Sequence, residues 1–138
     1  MTQVLGDIYD FEKAITEASR VLKSGGHFLL SESLINETHN EPYDYWRFTE
    51  FSLRKLLEDA GMEIVEIKYR GGFWSSSTQN LIRYLINGFE LNKNKALGDL
   101  FKIPAYLFTR FAVFLDSLDR TKNNSKFTIG YTVISKKK

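Results

Sequence analysis

No cysteine occurs among the 138 residues. Disulfides, thiolate catalysis and cysteine-ligated zinc or iron–sulfur clusters are thereby excluded within this chain, and a reducing, cytoplasmic setting is expected. Histidine is almost as scarce. His27 and His39 are the only two, too few for a three-histidine metal site, and no metal is expected. With two prolines and nine glycines, the chain is neither collagen-like nor a Pro/Gly-rich disordered segment. Long apolar runs are missing as well. A spanning helix needs about 20 predominantly apolar residues, whereas the longest candidate, 103–115, is shorter and contains Arg110. No N-terminal stretch joins a basic region to an apolar run and a small-residue cleavage site, so no secretory leader is expected.

Aromatic residues are abundant: 11 Phe, 7 Tyr and 2 Trp make up 14% of the chain, enough to stabilise even a small core. The length implies one domain over 1–138. Charge is uneven along it. Residues 1–50 hold nine acids and four bases, and residues 51–138 hold eight acids and fifteen bases. The bases are scattered, not gathered into a stripe, so no nucleic-acid partner is expected.

Periodicity predicts a helix over 11–23, with Phe11, Ala14, Ile15, Ala18 and Leu22 on one face, Asp10 as cap and Ser24-Gly25-Gly26 as stop. The apolar run 27–30 reads as a buried strand. Residues 31–48 have no sustained period and read as a long loop, and long connections in compact domains are often functional. A second helix opens at Thr49 and closes at Gly61. The alternation over 62–69 is a strand. Gly71-Gly72 and Ser75-Ser76-Ser77 read as a hinge into a helical insertion over 75–126, with helices at 78–90 and 104–118, the second opening on Pro104. A last strand covers 127–135, followed by a basic tail. This order is α/β.

Several stretches carry a resemblance. They are Gln3-Val4-Leu5, the turn Arg20-Val21-Leu22-Lys23-Ser24-Gly25-Gly26, the block Pro42-Tyr43-Asp44-Tyr45-Trp46-Arg47-Phe48-Thr49, Gly61 before the second strand, and Gly130-Tyr131-Thr132-Val133-Ile134. Together they resemble the C-terminal half of class I S-adenosylmethionine-dependent methyltransferases of the type 11-like group. That family usually has proline where Ser24 stands, and leucine-glutamate-histidine where this chain has Leu5-Gly6-Asp7. The resemblance implies a partial Rossmann-like fold: a three-strand mixed sheet with its last strand antiparallel, flanking helices and a helical insertion before that strand. It also implies an S-adenosylmethionine-dependent transferase acting on a small-molecule or glycan-like acceptor. The family's glycine-rich loop and ribose-binding acid, which let backbone and carboxylate approach the cofactor, have no counterpart in these residues. The chain alone is therefore not expected to bind the cofactor, although Gln3 would face it in the family pattern.

In such a fold the acceptor lies beyond the carboxyl ends of the strands, which places the loop 31–47 over the pocket. His39 is the best-suited general base by residue type, with Asp44 and Glu41 as alternatives and turn formation as their plainer role. Tyr43, Tyr45 and Trp46 either line an acceptor pocket or anchor the loop. Arg47 either forks onto an acidic acceptor or pairs with Asp44 or Glu50. The aromatic helix 104–118 has three readings: core, cap of the acceptor site, or weak contact with a membrane surface beside Lys93, Lys95 and Lys102. A strand edge at 28–31 without a neighbour, together with that helix, points to a homodimer or to a missing N-terminal half. A non-catalytic association module is the competing function.

Overall fold

The computed structural model describes residues 1–138. It divides into two compact units, Met1–Arg70 with Ile129–Lys138, and Gly71–Thr128. The expected insertion at 75–126 falls inside the second.

The first unit contains α1 (Phe11–Val21), β1 (His27–Ser33), α2 (Glu50–Asp59), β2 (Met62–Arg70) and β3 (Gly130–Lys137). The sheet order is β1-β3-β2, and β3 runs antiparallel to both neighbours. Both strand pairings are therefore antiparallel, and the only parallel contact is a bridge between Thr2 and Ser31. Around that bridge the Met1 ammonium donates to Leu29 O at 2.7 Å, Ser31 N to Met1 O at 3.1 Å, and Gln3 N to Ser31 O at 2.7 Å. The edge of β1 expected to lack a neighbour is thus partly paired by the first three residues.

Local chemistry explains most boundaries. Asp10 caps α1 by accepting from Lys13 N. α1 stops at Val21, two residues short of the expected end, because Lys137 Nζ donates to Ser19 O at 2.7 Å and Leu22 O at 2.8 Å. A cation there satisfies the orphan carbonyls of a helix C-terminus. Lys136 and Lys137 consequently belong to β3 and not to a solvated tail. β1 runs on to Ser33 because β3 offers it partners down to Gly130. Thr49 and Ser52 form a capping box at α2, and Gly61 leaves that helix at φ +79°, a conformation that favours glycine. A bulge between Ile64 and Glu66 breaks the alternation of β2.

The core lies on one face of the sheet. Leu30, Val133 and Met62 meet Ile15 from α1 and Leu53 and Leu57 from α2, with Leu5 and Phe48 closing the cluster. Burying each such side chain contributes about 1.5–3 kcal/mol.

The second unit contains α3 (Phe73–Gly88), α4 (Lys95–Leu118) and a 3₁₀ turn, Asn124–Phe127. Four expectations change here. The serine run is the first turn of α3, not a hinge. Its exposed N–H groups are satisfied from far away in sequence: Asp116 accepts from Gly72 N at 2.9 Å, Trp74 N at 3.1 Å and Ser75 N at 3.0 Å, and also from the Ser75 hydroxyl. Asn124 Oδ1 accepts from Phe73 N at 2.7 Å. Pro104 lies inside α4 instead of opening it. Asn94 caps that helix by accepting from Leu97 N, and the ladder tolerates one missing donor at the proline. Finally, Ala112 is the only buried residue of α4, so the aromatic helix is not core. The last strand starts at Gly130, since Phe127 belongs to the 3₁₀ turn.

Burial raises the Asp116 carboxyl, but the Ser75 hydroxyl and the three N–H donors outweigh it and hold the group below its ordinary value. Asp116→Ala should cost about 1–2 kcal/mol, as loss of a capping carboxylate does. Urea melts of the two proteins would measure this, with the difference shrinking as pH falls below about 4 and the carboxylate is protonated.

Candidate functional site

β1 ends in Ser31, Glu32 and Ser33, and the chain leaves it into the long polar loop. Glu32 is 3% exposed. Its Oε1 accepts from Val4 N at 3.2 Å and Leu5 N at 3.0 Å, which fixes the 3₁₀ turn Leu5–Asp7 against the strand end. Gly6 O then accepts from both Tyr45 N and Trp46 N at 3.0 Å. A Cβ on Gly6 would sit 2.9 Å from Trp46 O, so only glycine allows this approach. Trp46 Nε1 donates to Tyr9 O at 3.2 Å, and its ring meets Phe11 edge-on at 5.0 Å. Tyr45 meets Tyr9 in the same way at 5.4 Å. Of the two roles open to Tyr45 and Trp46, these contacts are those of loop anchors.

Arg47 forks onto Asp44, Nη1 to Oδ1 at 2.5 Å and Nη2 to Oδ2 at 2.8 Å, and Nη2 also reaches Glu37 O at 3.1 Å. The Asp44 side chain is 3% exposed and accepts from the His39 N–H at 2.9 Å. His39 Nδ1 lies 3.2 Å from Asp44 Oδ2, and Nε2 lies 3.8 Å from Asp7 Oδ1. The hydrogen bonds from Arg47 hold the Asp44 carboxyl far below the usual carboxylate range. Burial opposes them, and the His39 N–H and the neighbouring positive charges assist. The same pair pushes Arg47 upward against its own burial, with the charges of Asp44, Asp7 and Glu32 adding to it.

The arrangement orients an imidazole. Asp44 accepts from the His39 backbone N–H and lies beside ring Nδ1, while Nε2 faces Asp7 across a gap that suits a bridging hydroxyl or water. The lone pairs of Asp44 are engaged by the Arg47 guanidinium and the His39 backbone N–H. One donor atom each from Asp7, His39 and Asp44 lies within 4.8 Å of the others, but the Arg47 cation already occupies the Asp44 end of that trio.

Gln3, Gly6, Asp7, Glu32, Ser33, His39, Trp46 and Arg47 surround a cavity of about 20 Å³, room for little more than a water molecule. The Gln3 amide satisfies both its ends when its nitrogen donates to Ser33 Oγ at 2.7 Å and its oxygen accepts from Arg70 at 2.6 and 3.1 Å. Glu41 and Tyr43 stay outside the cluster at the exposed end of the loop, where Tyr43 N donates to Asn40 O at 2.8 Å. Asp7, Glu32, Ser33 and Gly6 were not among the candidates from sequence. An acid ending an apolar strand, as Glu32 does, is the signal that could have drawn attention to this turn.

No protein-family model matches the sequence, and neither does any curated protein sequence. Solved structures do match. The crystal structure of the [4+2]-cyclase SpnF aligns with 99% of this chain and 47% of its own, at 21% identity and a TM-score of 0.54. The chain shares the α/β fold of part of that cyclase. Haemonchus contortus phosphoethanolamine N-methyltransferase 2 aligns in two structures. One is a complex with phosphomonomethylethanolamine and S-adenosylhomocysteine, at 13% identity and a TM-score of 0.47; the other, with S-adenosyl-L-methionine, is at 15% and 0.46. Each alignment covers 99% of this chain and 32% of that enzyme. The chain thus spans about half the length of the first match and a third of the others. Since this fold carries a cyclase, activity has to be argued from the site.

Asp44→Asn should loosen the loop and cost about 1–3 kcal/mol, because it leaves the Arg47 charge without its partner. The pH dependence has a definite sign. A carboxyl that ionises lower in the folded chain than its unfolded value near 3.9 stabilises the fold above that pH, and the benefit drains away as pH falls toward the folded value. Trp46 fluorescence in a Trp74→Phe background should therefore be flat from about pH 8 to 5 and change only at lower pH. The Asp44→Asn chain should already show the loosened signal at neutral pH.

Proposed function

We propose that this chain is the acceptor-side portion of an S-adenosylmethionine-dependent methyltransferase whose acceptor is a small molecule or a glycan-like compound. The observation that carries the proposal is the His39–Asp44 pair, 3.2 Å apart, held at the carboxyl end of β1, where open α/β sheets bind their ligands. On this reading His39 Nε2 takes the proton of an acceptor hydroxyl or amine. Asp44 holds the ring and stabilises the imidazolium that results. Asp7 supplies a hydrogen-bond partner beside the acceptor, and Trp46 and Tyr45 keep the loop closed on Gly6.

The residues present do not make a seat for the cofactor. A cavity of about 20 Å³ does not admit a nucleoside, the Gln3 amide is committed to Ser33 and Arg70, and no glycine-rich strand–loop–helix occurs in these residues. S-adenosylmethionine would supply the methyl group and would be held by residues outside 1–138.

Isothermal titration of this chain with S-adenosylmethionine should show no binding tighter than about 100 µM, weaker than ordinary cofactor affinities. In the polypeptide or complex that supplies the cofactor-binding half, His39→Ala should lower kcat by about 10²–10⁴-fold, the usual contribution of a general base, with an unchanged melting temperature. Micromolar binding by the isolated chain would overturn the division of labour. An unimpaired His39→Ala enzyme would remove His39 from the mechanism.

A further inference from the structure

The side of α4 turned toward α3 is built differently from the exposed side that carries Leu107 and Phe114. At 3.6 residues per turn, Lys95, Gly98, Asp99, Lys102 and Ala105 fall together on it. α3 ends there in a hydrogen-bonded turn: Phe89 N donates to Leu85 O at 3.0 Å and Leu91 N to Ile86 O at 2.9 Å. The turn rests directly on α4, since a Cβ on Gly98 would sit 2.7 Å from Leu91 O. Between turn and helix lies a cavity of about 530 Å³, within the range of about 300–1,000 Å³ usual for small-molecule sites.

The chemistry of the lining is graded. Half-buried Ile86, Leu91, Phe101 and Ala105 form its apolar wall, and Asn92, Lys95, Asp99 and Lys102 its polar one. Two lysines against one aspartate leave the lining net positive. Lys102 pairs with Asp99 at 2.7 Å and Lys93 with Glu90 at 2.6 Å, which leaves the Lys95 ammonium over. Phe101 and Ala105 also line a second groove, of about 230 Å³, along the seam between α3 and α4. Its other walls are Leu81, Ile82, Leu85, Pro104 and Phe108, with no polar side chain among them.

The two spaces therefore make one course, cationic at one end and apolar at the other. From Lys95 to Phe108 it follows about 20 Å of helix at 1.5 Å per residue. A compact inorganic anion would use the lysines and leave the seam empty. A neutral hydrocarbon would fill the seam and leave the ammonium without a counter-charge. A chain with one carboxylate end matches both parts: the ammonium gains a charge-assisted hydrogen bond, and the tail leaves water against apolar walls. The Lys102–Asp99 pair is exposed, and exposed pairs are weak, so Lys102 is free to share a second carboxylate.

We propose that the seam between α3 and α4 binds an unbranched alkyl carboxylate, its head at Lys95 and Lys102 and its tail along Phe101, Leu85 and Phe108. This goes beyond the methyl-transfer reading and does not rest on it. The full chain would be titrated calorimetrically with decanoate, decanol, decyltrimethylammonium and butanoate. Decanoate should saturate a single site with a Kd of about 10–100 µM, and the other three should bind at least about tenfold more weakly. Lys95→Gln/Lys102→Gln changes exposed positions only and should weaken decanoate binding by about tenfold at an unchanged melting temperature. Asp99→Asn, which releases Lys102, should tighten it. Leu107→Glu/Phe111→Glu, on the other side of α4, should leave it unchanged. No saturation below about 1 mM decanoate, equal binding of decanoate and decanol, or binding indifferent to Lys95→Gln/Lys102→Gln would overturn the proposal. So would loss of decanoate binding in Leu107→Glu/Phe111→Glu, since the ligand would then lie on the exposed side of the helix.

Discussion

β3 lies between β1 and β2 and pairs with both along nearly their whole lengths, although the three strands are far apart in sequence. Neither outer strand has another partner among the named strands, so the first unit has no sheet without this insertion. Its consequences reach beyond the ladder. Lys137 at its end closes the C-terminus of α1, Val133 and Tyr131 sit in the core, and Gly130 extends β1 to Ser33. That extension carries Glu32 to the position from which it holds Val4 and Leu5.

The acids around the strand end illustrate how one residue type takes different work from different surroundings. Glu32 is buried and spends an oxygen on two backbone donors, so it shapes the turn. Asp44 is buried beneath Arg47 and His39, and its charge is secured by a bidentate cation, the strong form of such contacts. Asp7 faces His39 Nε2 across 3.8 Å and remains available to a ligand hydroxyl. Glu41 lies exposed at the end of the loop and has none of these neighbours. Distance and burial, not acidity, separate the four.

The second unit solves a different problem. Its two helices are tied by Asp116, which serves as the distant cap of α3, and by Asn124, which binds the same helix start. These polar ties leave the apolar surface of α4 largely uncovered, the reverse of the usual arrangement in which an apolar helix face is buried and the polar face is open.

Helix and strand periods were legible in the sequence because they are local. The Asp10 and Thr49 caps, the glycine exit at Gly61, and the alternation of β2 all depend on neighbours within a few residues. The quoted stretches also pointed to part of a methyltransferase fold, and loop 31–48 was visible as a long polar connection holding His39, Asp44 and Arg47. What stayed hidden depended on residues far away in the chain. α3 begins at Phe73 because Asp116 and Asn124 reach its free N–H groups, α1 stops at Val21 because Lys137 arrives from β3, and Glu32 and Gly6 matter because the loop returns onto the turn before α1. The exposure of α4 was hidden for the same reason: hydropathy shows which residues would gain from leaving water, and only tertiary packing decides which of them do.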